Sequence, residues 1–137
     1  MDGREIKVII HQQPNDNDNI EVYADKERII QVLENILNNA LKFTKEGTIS
    51  IHAEQSKDNK NHLTVKVIDT GIGIEHALLL RLFTKFATKS VHGTGLGLYI
   101  SKSIVEAHGG KIWAENNING KGATFTFALP LQKSPSE

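Results

Sequence analysis

The chain has 137 residues, enough for one domain of ordinary size around a single core. Its 16 Lys and Arg balance 16 Asp and Glu, so no overall charge draws it to nucleic acid or to an anionic membrane. It has no cysteine, which excludes disulfides and thiolate metal sites and fits a cytoplasmic setting. No apolar run approaches the ~20 residues that span a bilayer, so any membrane anchor of a full-length protein is expected outside this sequence, with no direct membrane contact here.

In chain order, Ile6, Val8 and Ile10 alternate within Glu5 to Gln12 and predict a strand. A loop rich in Asn and Asp follows, then a short second strand over Ile20 to Ala24. Asp25 is placed to cap a helix whose apolar face carries Ile29, Leu33, Ile36, Leu37, Ala40 and Leu41 and which ends before Gly47. Alternation in Thr48 to Glu54 and in His62 to Asp69 predicts two strands joined by a polar turn. A glycine-rich loop, Thr70 to Ile74, leads to a short helix over Glu75 to Phe83. Thr84 to His92 shows no period and reads as a mobile loop. The glycine cluster Gly93 to Gly97 opens a helix to about His108, stopped by Gly109 and Gly110. Strands over Lys111 to Glu115 and Thr124 to Leu129 close the pattern. Paired strands with grouped helices predict an α+β fold: a two-layer α/β sandwich, its mixed, mostly antiparallel sheet covered on one face by about three helices. Residues 1–131 are expected to form one domain and 132–137 a disordered tail.

Three features could carry chemistry. On the first helix, Asn35, Asn39 and Lys42 lie within roughly 60° around the axis, beside the apolar face. An amide oxygen can ligate Mg²⁺ and an ammonium can pair with phosphate, although the same face would also serve as solvated surface. Strand parity puts Asp69 on the side of Leu63, Val65 and Val67, so a core on that side would bury a carboxylate in need of donors. Gly71 and Gly73 would then let backbone approach a flat base, whereas Asp69 could equally cap its own loop. Gly93 to Leu98, at a helix start, suits phosphate, as it suits an unliganded turn. It is not the dinucleotide fingerprint, and no Walker A sequence occurs. The six histidines show no metal-ligand spacing; His52 and His62 fall where strand parity faces solvent.

The order and spacing of these features resemble the ATPase fold shared by histidine kinases, DNA gyrase, heat-shock chaperone ATPases and mismatch-repair ATPases (the GHKL superfamily, with its Bergerat-type fold). Gln31 to Thr44 (QVLENILNNALKFT) resembles the asparagine box, and Asp69 to Ile74 (DTGIGI) the first glycine box. Leu82 to Phe86 (LFTKF) resembles the phenylalanine box, with Thr84 and Lys85 replacing its usual middle pair, and Gly93 to Leu98 (GTGLGL) the second glycine box. Ile100 to Trp113 and Gly120 to Pro130 look like histidine kinases in particular. The resemblance implies an ATP-binding catalytic domain of a sensor histidine kinase, with ATP and Mg²⁺ as cofactors. It implies that Asn39 ligates Mg²⁺ with Asn35 assisting, that Lys42 meets phosphate and that Phe43 lies near base or sugar. Asp69 would accept from the adenine amine, with Gly71, Gly73 and Ile74 at the base and Thr124 close to Asp69. Thr84 to His92 would be the lid, from which Lys89 reaches the γ-phosphate, while Gly93, Thr94, Gly95, Leu96, Gly97 and Leu98 cradle the phosphates.

The ATP-hydrolysing branch of the superfamily places a Glu as water-activating base four residues before the Mg²⁺ asparagine. Here that position is Asn35, and an amide cannot take a proton, which favours transfer to a side chain, governed by positioning and charge neutralisation. No histidine in the sequence is followed by Glu or Asp, the acceptor pattern of histidine kinases, so the acceptor is expected on a separate dimerisation and phosphoacceptor helical domain, with a response regulator downstream. The isolated domain is expected to be a monomer. Alternatives within the fold are a conformational ATPase, a serine kinase acting on an anti-sigma-antagonist-like protein, and a nucleotide-binding module without catalysis.

Overall fold

The computed structural model describes residues 5–12, 24–55, 62–87 and 96–130. The order is β1 (Glu5–Gln12), α1 (Lys26–Phe43), β2 (Glu46–Gln55), β3 (His62–Asp69), α2 (His76–Leu79), α3 (Gly97–Ala107), β4 (Lys111–Asn116) and β5 (Ala123–Pro130). The five strands form one sheet in the order β1-β2-β3-β5-β4. β1 runs parallel to β2 and every other pair is antiparallel, so the sheet is mixed and mostly antiparallel, as expected. The expected strand over Ile20 to Ala24 lies outside the described residues except for Ala24, which is a bend.

Two physical choices set the layers. Alternation turns Ile49, Ile51, Val67, Phe125, Phe127 and Leu129 to one face of the sheet, where they are buried against the helices. On α1, Val32, Ile36 and Ala40 are fully buried, while Ile29, Leu33, Leu37 and Leu41 pack around them only partly covered. The centre of the buried stripe is therefore rotated roughly 60° from the one the large aliphatic residues mark out, towards the asparagine face. Val32, left out of the expected stripe, is fully buried beside Ile36, on the edge nearer the asparagines. This rotation leaves Asn35 and Asn39 half-buried, with Asn35 turned towards α3.

Asp25 caps α1 as read, its carboxylate accepting the Arg28 N–H. Its own N–H donates to His108 Nε2, which ties the start of α1 to the end of α3. Gly109, at φ +80°, turns the chain out of α3, and a Cβ on Gly110 would lie 2.1 Å from the Ala128 carbonyl oxygen. The helix expected over Glu75 to Phe83 is one turn, His76–Leu79, followed by further turns. Leu82 and Phe83 nevertheless hold this stretch to the core: Leu82 is buried, and Phe83 meets Phe125 edge to face at 6.4 Å. His52 and His62 are half-buried rather than open to solvent.

Candidate functional site

The site lies where the C-terminal half of α1, the end of β3 and the start of α3 meet. Asp69, the last residue of β3, is 1% exposed, on the helix-facing side that strand parity predicts. Its Oδ1 accepts the Gly71 N–H at 2.9 Å and the Ala123 N–H at 3.1 Å. Its Oδ2 is buried and has no partner among the described residues. Burial raises the pKa of this carboxyl above the ordinary aspartate value, and the two backbone donors offset part of that rise. The fold thus holds a desolvated carboxylate with one oxygen satisfied and the other lacking a donor. Loop capping explains the first oxygen and leaves the second unexplained.

The sign of its effect on stability follows from that direction. A raised native pKa means that the folded state binds the proton more tightly than the unfolded chain. The contribution of Asp69 to stability is therefore greatest below the ordinary aspartate range and is lost as pH rises through the raised native value. In thermal melts from about pH 4 to about pH 8, the margin of Asp69→Asn over the parent chain should widen with pH and then level off. A margin constant with pH would show that the carboxyl is not desolvated.

Around Asp69 the glycines are steric necessities. A Cβ on Gly71 would lie 2.2 Å from the Phe43 carbonyl oxygen, which itself accepts the Ile72 N–H at 3.2 Å. Gly73, at φ +82°, leads to Ile74, which is buried. Phe43 therefore meets the first glycine loop through its backbone, and its half-buried ring has the Lys42 ammonium above it at 5.2 Å.

On α1, Asn39 Nδ2 donates to the Asn35 carbonyl at 3.0 Å, and Asn39 Oδ1 is buried with no partner among the described residues. A lone amide oxygen, with no group of three or more His, Cys, Asp or Glu able to hold a metal among the described residues, is a poor site for most metals. It does fit Mg²⁺, which takes hard oxygen ligands, keeps several waters and binds with substrate phosphates. Asn35 is placed differently from the expectation. Its Nδ2 donates to the Gly97 carbonyl at 3.1 Å and to Ser101 Oγ at 3.0 Å, so the amide fastens α1 to the first turn of α3. Ser101 is fully buried. The sequence showed Asn35 beside Asn39 but not this partner 62 residues away.

Thr124 is not at the Asp69 carboxylate. In the β3–β5 register it stands opposite Ile68, hence on the face away from the helices. The residue of β5 that reaches Asp69 is Ala123, through its backbone N–H. Thr124 Oγ1 donates instead to Asn117 Oδ1, and Asn117 Nδ2 donates to the Asp69 carbonyl at 2.9 Å. Asn116 forms a two-bond pair with the Ile74 peptide, accepting its N–H at 2.8 Å and donating to its carbonyl at 2.9 Å. Sequence reasoning passed over both asparagines because Asn at a turn is ordinary.

Of the remaining candidates, Leu96, Gly97 and Leu98 lie at the start of α3, with Leu98 buried; Lys89, Gly93, Thr94 and Gly95 lie outside the described residues. The two departures in the phenylalanine box have local partners. Thr84 Oγ1 donates to the Arg81 carbonyl at 2.7 Å, and the Lys85 ammonium sits 5.2 Å from the Tyr99 ring centre on α3.

The two-layer sandwich, the buried aspartate before a glycine loop and the asparagine helix define a nucleotide-binding domain without a P-loop. Residues 24–133 match the family model for the histidine kinase-, DNA gyrase B- and HSP90-like ATPases, and the chain belongs to this family. It is 40% identical over 122 residues to the sensor histidine kinase WalK of Bacillus subtilis, a match covering 85% of this chain and 20% of that protein. It is 40% identical over 131 residues to hybrid signal transduction histidine kinase C of Dictyostelium discoideum, covering 86% of this chain and 11% of that one. The chain thus spans a fifth or less of the curated relatives described. Among solved structures, the nucleotide-free catalytic domain of the histidine kinase ThkA superposes with a TM-score of 0.77 at 39% identity, covering 92% of this chain and 79% of that one. Full-length ShkA in complex with AMPPNP gives 0.76 at 30% identity, covering 97% and 27%. The fold is that of a histidine kinase catalytic domain, and no helix among the described residues is long and apolar enough to cross a membrane.

Proposed function

We propose that residues 1–131 form a catalytic domain that binds Mg-ATP and hands its γ-phosphate to a histidine on a separate helical dimerisation domain, in two-component signalling. The observation that carries this reading is that two buried acceptors, Asp69 Oδ2 and Asn39 Oδ1, have no donor among the described residues. A buried acceptor without a donor is costly, and a bound molecule that supplies what each lacks removes that cost. The adenine exocyclic amine supplies Asp69 with a hydrogen-bond donor. Mg²⁺ carried by the phosphates suits Asn39, with Lys42 adding positive charge beside it. Bound there, the ion would neutralise phosphate charge; the chain's own residues orient the nucleotide. In this assignment the phosphates lie towards α3 at Leu96, Gly97 and Leu98, and phosphate contacts are also assigned to Gly93, Thr94, Gly95 and, for the γ-phosphate, Lys89, on their place in the sequence.

Transfer is favoured over hydrolysis by what Asn35 does. The hydrolysing branch needs a carboxylate base at this position, and here an amide occupies it, its nitrogen committed to Gly97 and Ser101. Ile72 at 77% exposed, Leu80 at 80% and Phe86 at 53% are large apolar side chains left open to solvent and suit contact with the helical partner.

The experiment is to incubate this chain with radiolabelled Mg-ATP, alone and mixed with a helical hairpin carrying a candidate His followed by an acidic residue. The expected result is acid-labile label on the hairpin and none on this chain. Stoichiometric phosphohistidine on this chain by itself would refute the separate acceptor. Rapid release of inorganic phosphate without labelling would support the conformational ATPase instead.

A further inference from the structure

The β4–β5 corner carries more bonds to the Asp69 loop than its place at the end of a hairpin requires. Asn117 Nδ2 donates to the Asp69 carbonyl at 2.9 Å and to the Lys121 carbonyl at 2.7 Å, its Oδ1 accepts from Thr124, and its own N–H donates to the Gly122 carbonyl at 3.0 Å. Asn116 grips both polar atoms of the Ile74 peptide. Gly122 lies so close that a Cβ there would be 1.9 Å from the Asp69 carbonyl oxygen, and Ala123 completes the contact by donating to Asp69 Oδ1. One short stretch therefore fixes the backbone of Asp69, one oxygen of its carboxylate, and the far end of the loop through Gly71 and Gly73. None of these bonds reaches the asparagine face of α1.

We propose that Asn117, with Asn116 beside it, is a specificity-determining brace: it sets the position of the Asp69 carboxylate against the base and so governs discrimination among purines, not the grip on phosphate. The proposal rests on the reading that Asp69 meets the adenine amine. Its physical content is that Oδ2 can select an amine only if it is held in place, and the bonds that hold it come from the hairpin rather than from the rest of the nucleotide site. Thr124 enters the same device at one remove, through Asn117, which gives it a part in base recognition from the opposite face of the sheet. Asn117 and Asn116 are positioning residues, since neither is placed on the nucleotide itself.

The test compares ATP with purine riboside triphosphate, which lacks the exocyclic amine, by calorimetric titration of this chain. Only folded molecules bind either nucleotide, so the ratio of the two affinities is independent of how much of a variant is folded. The parent chain should prefer ATP by about tenfold or more, and Asp69→Asn should abolish the preference. Asn117→Asp keeps an acceptor for Thr124 but loses both donated bonds. It and Asn117→Ala should bring the ratio to within about twofold of one while leaving the Mg²⁺-dependent gain in affinity intact. Asn116→Ala should reduce the ratio in the same direction. If Asp69→Asn leaves the preference unchanged, the adenine reading fails and the brace with it. If Asp69→Asn abolishes it and both Asn117 variants keep it, the adenine reading stands and the brace is overturned.

Discussion

Asp69→Asn should weaken ATP binding about 100-fold, equally with and without Mg²⁺, while leaving the unliganded domain as stable as the parent or more so. The two halves of this expectation come from the two oxygens. Oδ1 accepts from Gly71 and Ala123, and an Asn oxygen in the same place keeps both bonds. Oδ2 is the buried atom without a donor, and replacing it with an amide NH₂ removes a desolvated charge from the apo protein. The same change sets a donor against the adenine amine. A hydrogen bond to a charged group contributes roughly 1.5–3 kcal/mol, and an unsatisfied donor adds a further ~1 kcal/mol or more to the loss. Calorimetric titration with ATP, paired with thermal unfolding without it, reads both halves. Unaltered affinity would remove Asp69 from the base site, and a lowered melting temperature at neutral pH would show that the carboxylate is structural after all.

How far the site could be read from residues alone depended on the range of each interaction. Strand parity is local, so Asp69 was placed on the buried side from the alternation of Leu63, Val65 and Val67, and the core is there. Helix angle is also local, and Asn35, Asn39 and Lys42 were grouped from it. What a group pairs with across the fold is not local. Asn35, expected to assist Asn39 at the ion, has its amide nitrogen bound to α3, a fastening between the two helices that helix angle alone does not reveal. Thr124 is one residue out of parity with the face that holds Asp69, and only the β3–β5 register reveals this. Asn116 and Asn117 carry no periodic signal, because what distinguishes them is the partners they meet, 42 and 48 residues away. The stripe on α1 shifts for a related reason: large aliphatic residues on one shoulder outweigh Val32 in the pattern, yet Val32 is fully buried in the core while Leu33, Leu37 and Leu41 are only partly covered.

Asn39→Ala should separate metal from base. Without Mg²⁺ the variant should bind ATP within about threefold of the parent, because Asp69, the glycine loop and the β4–β5 corner are untouched. With Mg²⁺ the usual gain in affinity should be missing, and transfer to a histidine-bearing partner should fall roughly 1,000-fold, the scale on which one lost electrostatic contact at a developing charge acts. The helix itself should not suffer. Asn39 Nδ2 only returns to the Asn35 carbonyl one turn back, and Ala is the better helix former. Asn39→Asp makes the sharper comparison. It retains an oxygen where Oδ1 stands, adds charge towards the ion, and loses only the bond to Asn35, so it should recover part of the Mg²⁺ dependence that Ala abolishes. The reading of Asn39 would be wrong if Ala preserved that dependence, or if Asp and Ala behaved alike. Either result would leave Oδ1 a buried acceptor whose cost the bound state does not relieve, and would move the metal to the phosphates alone.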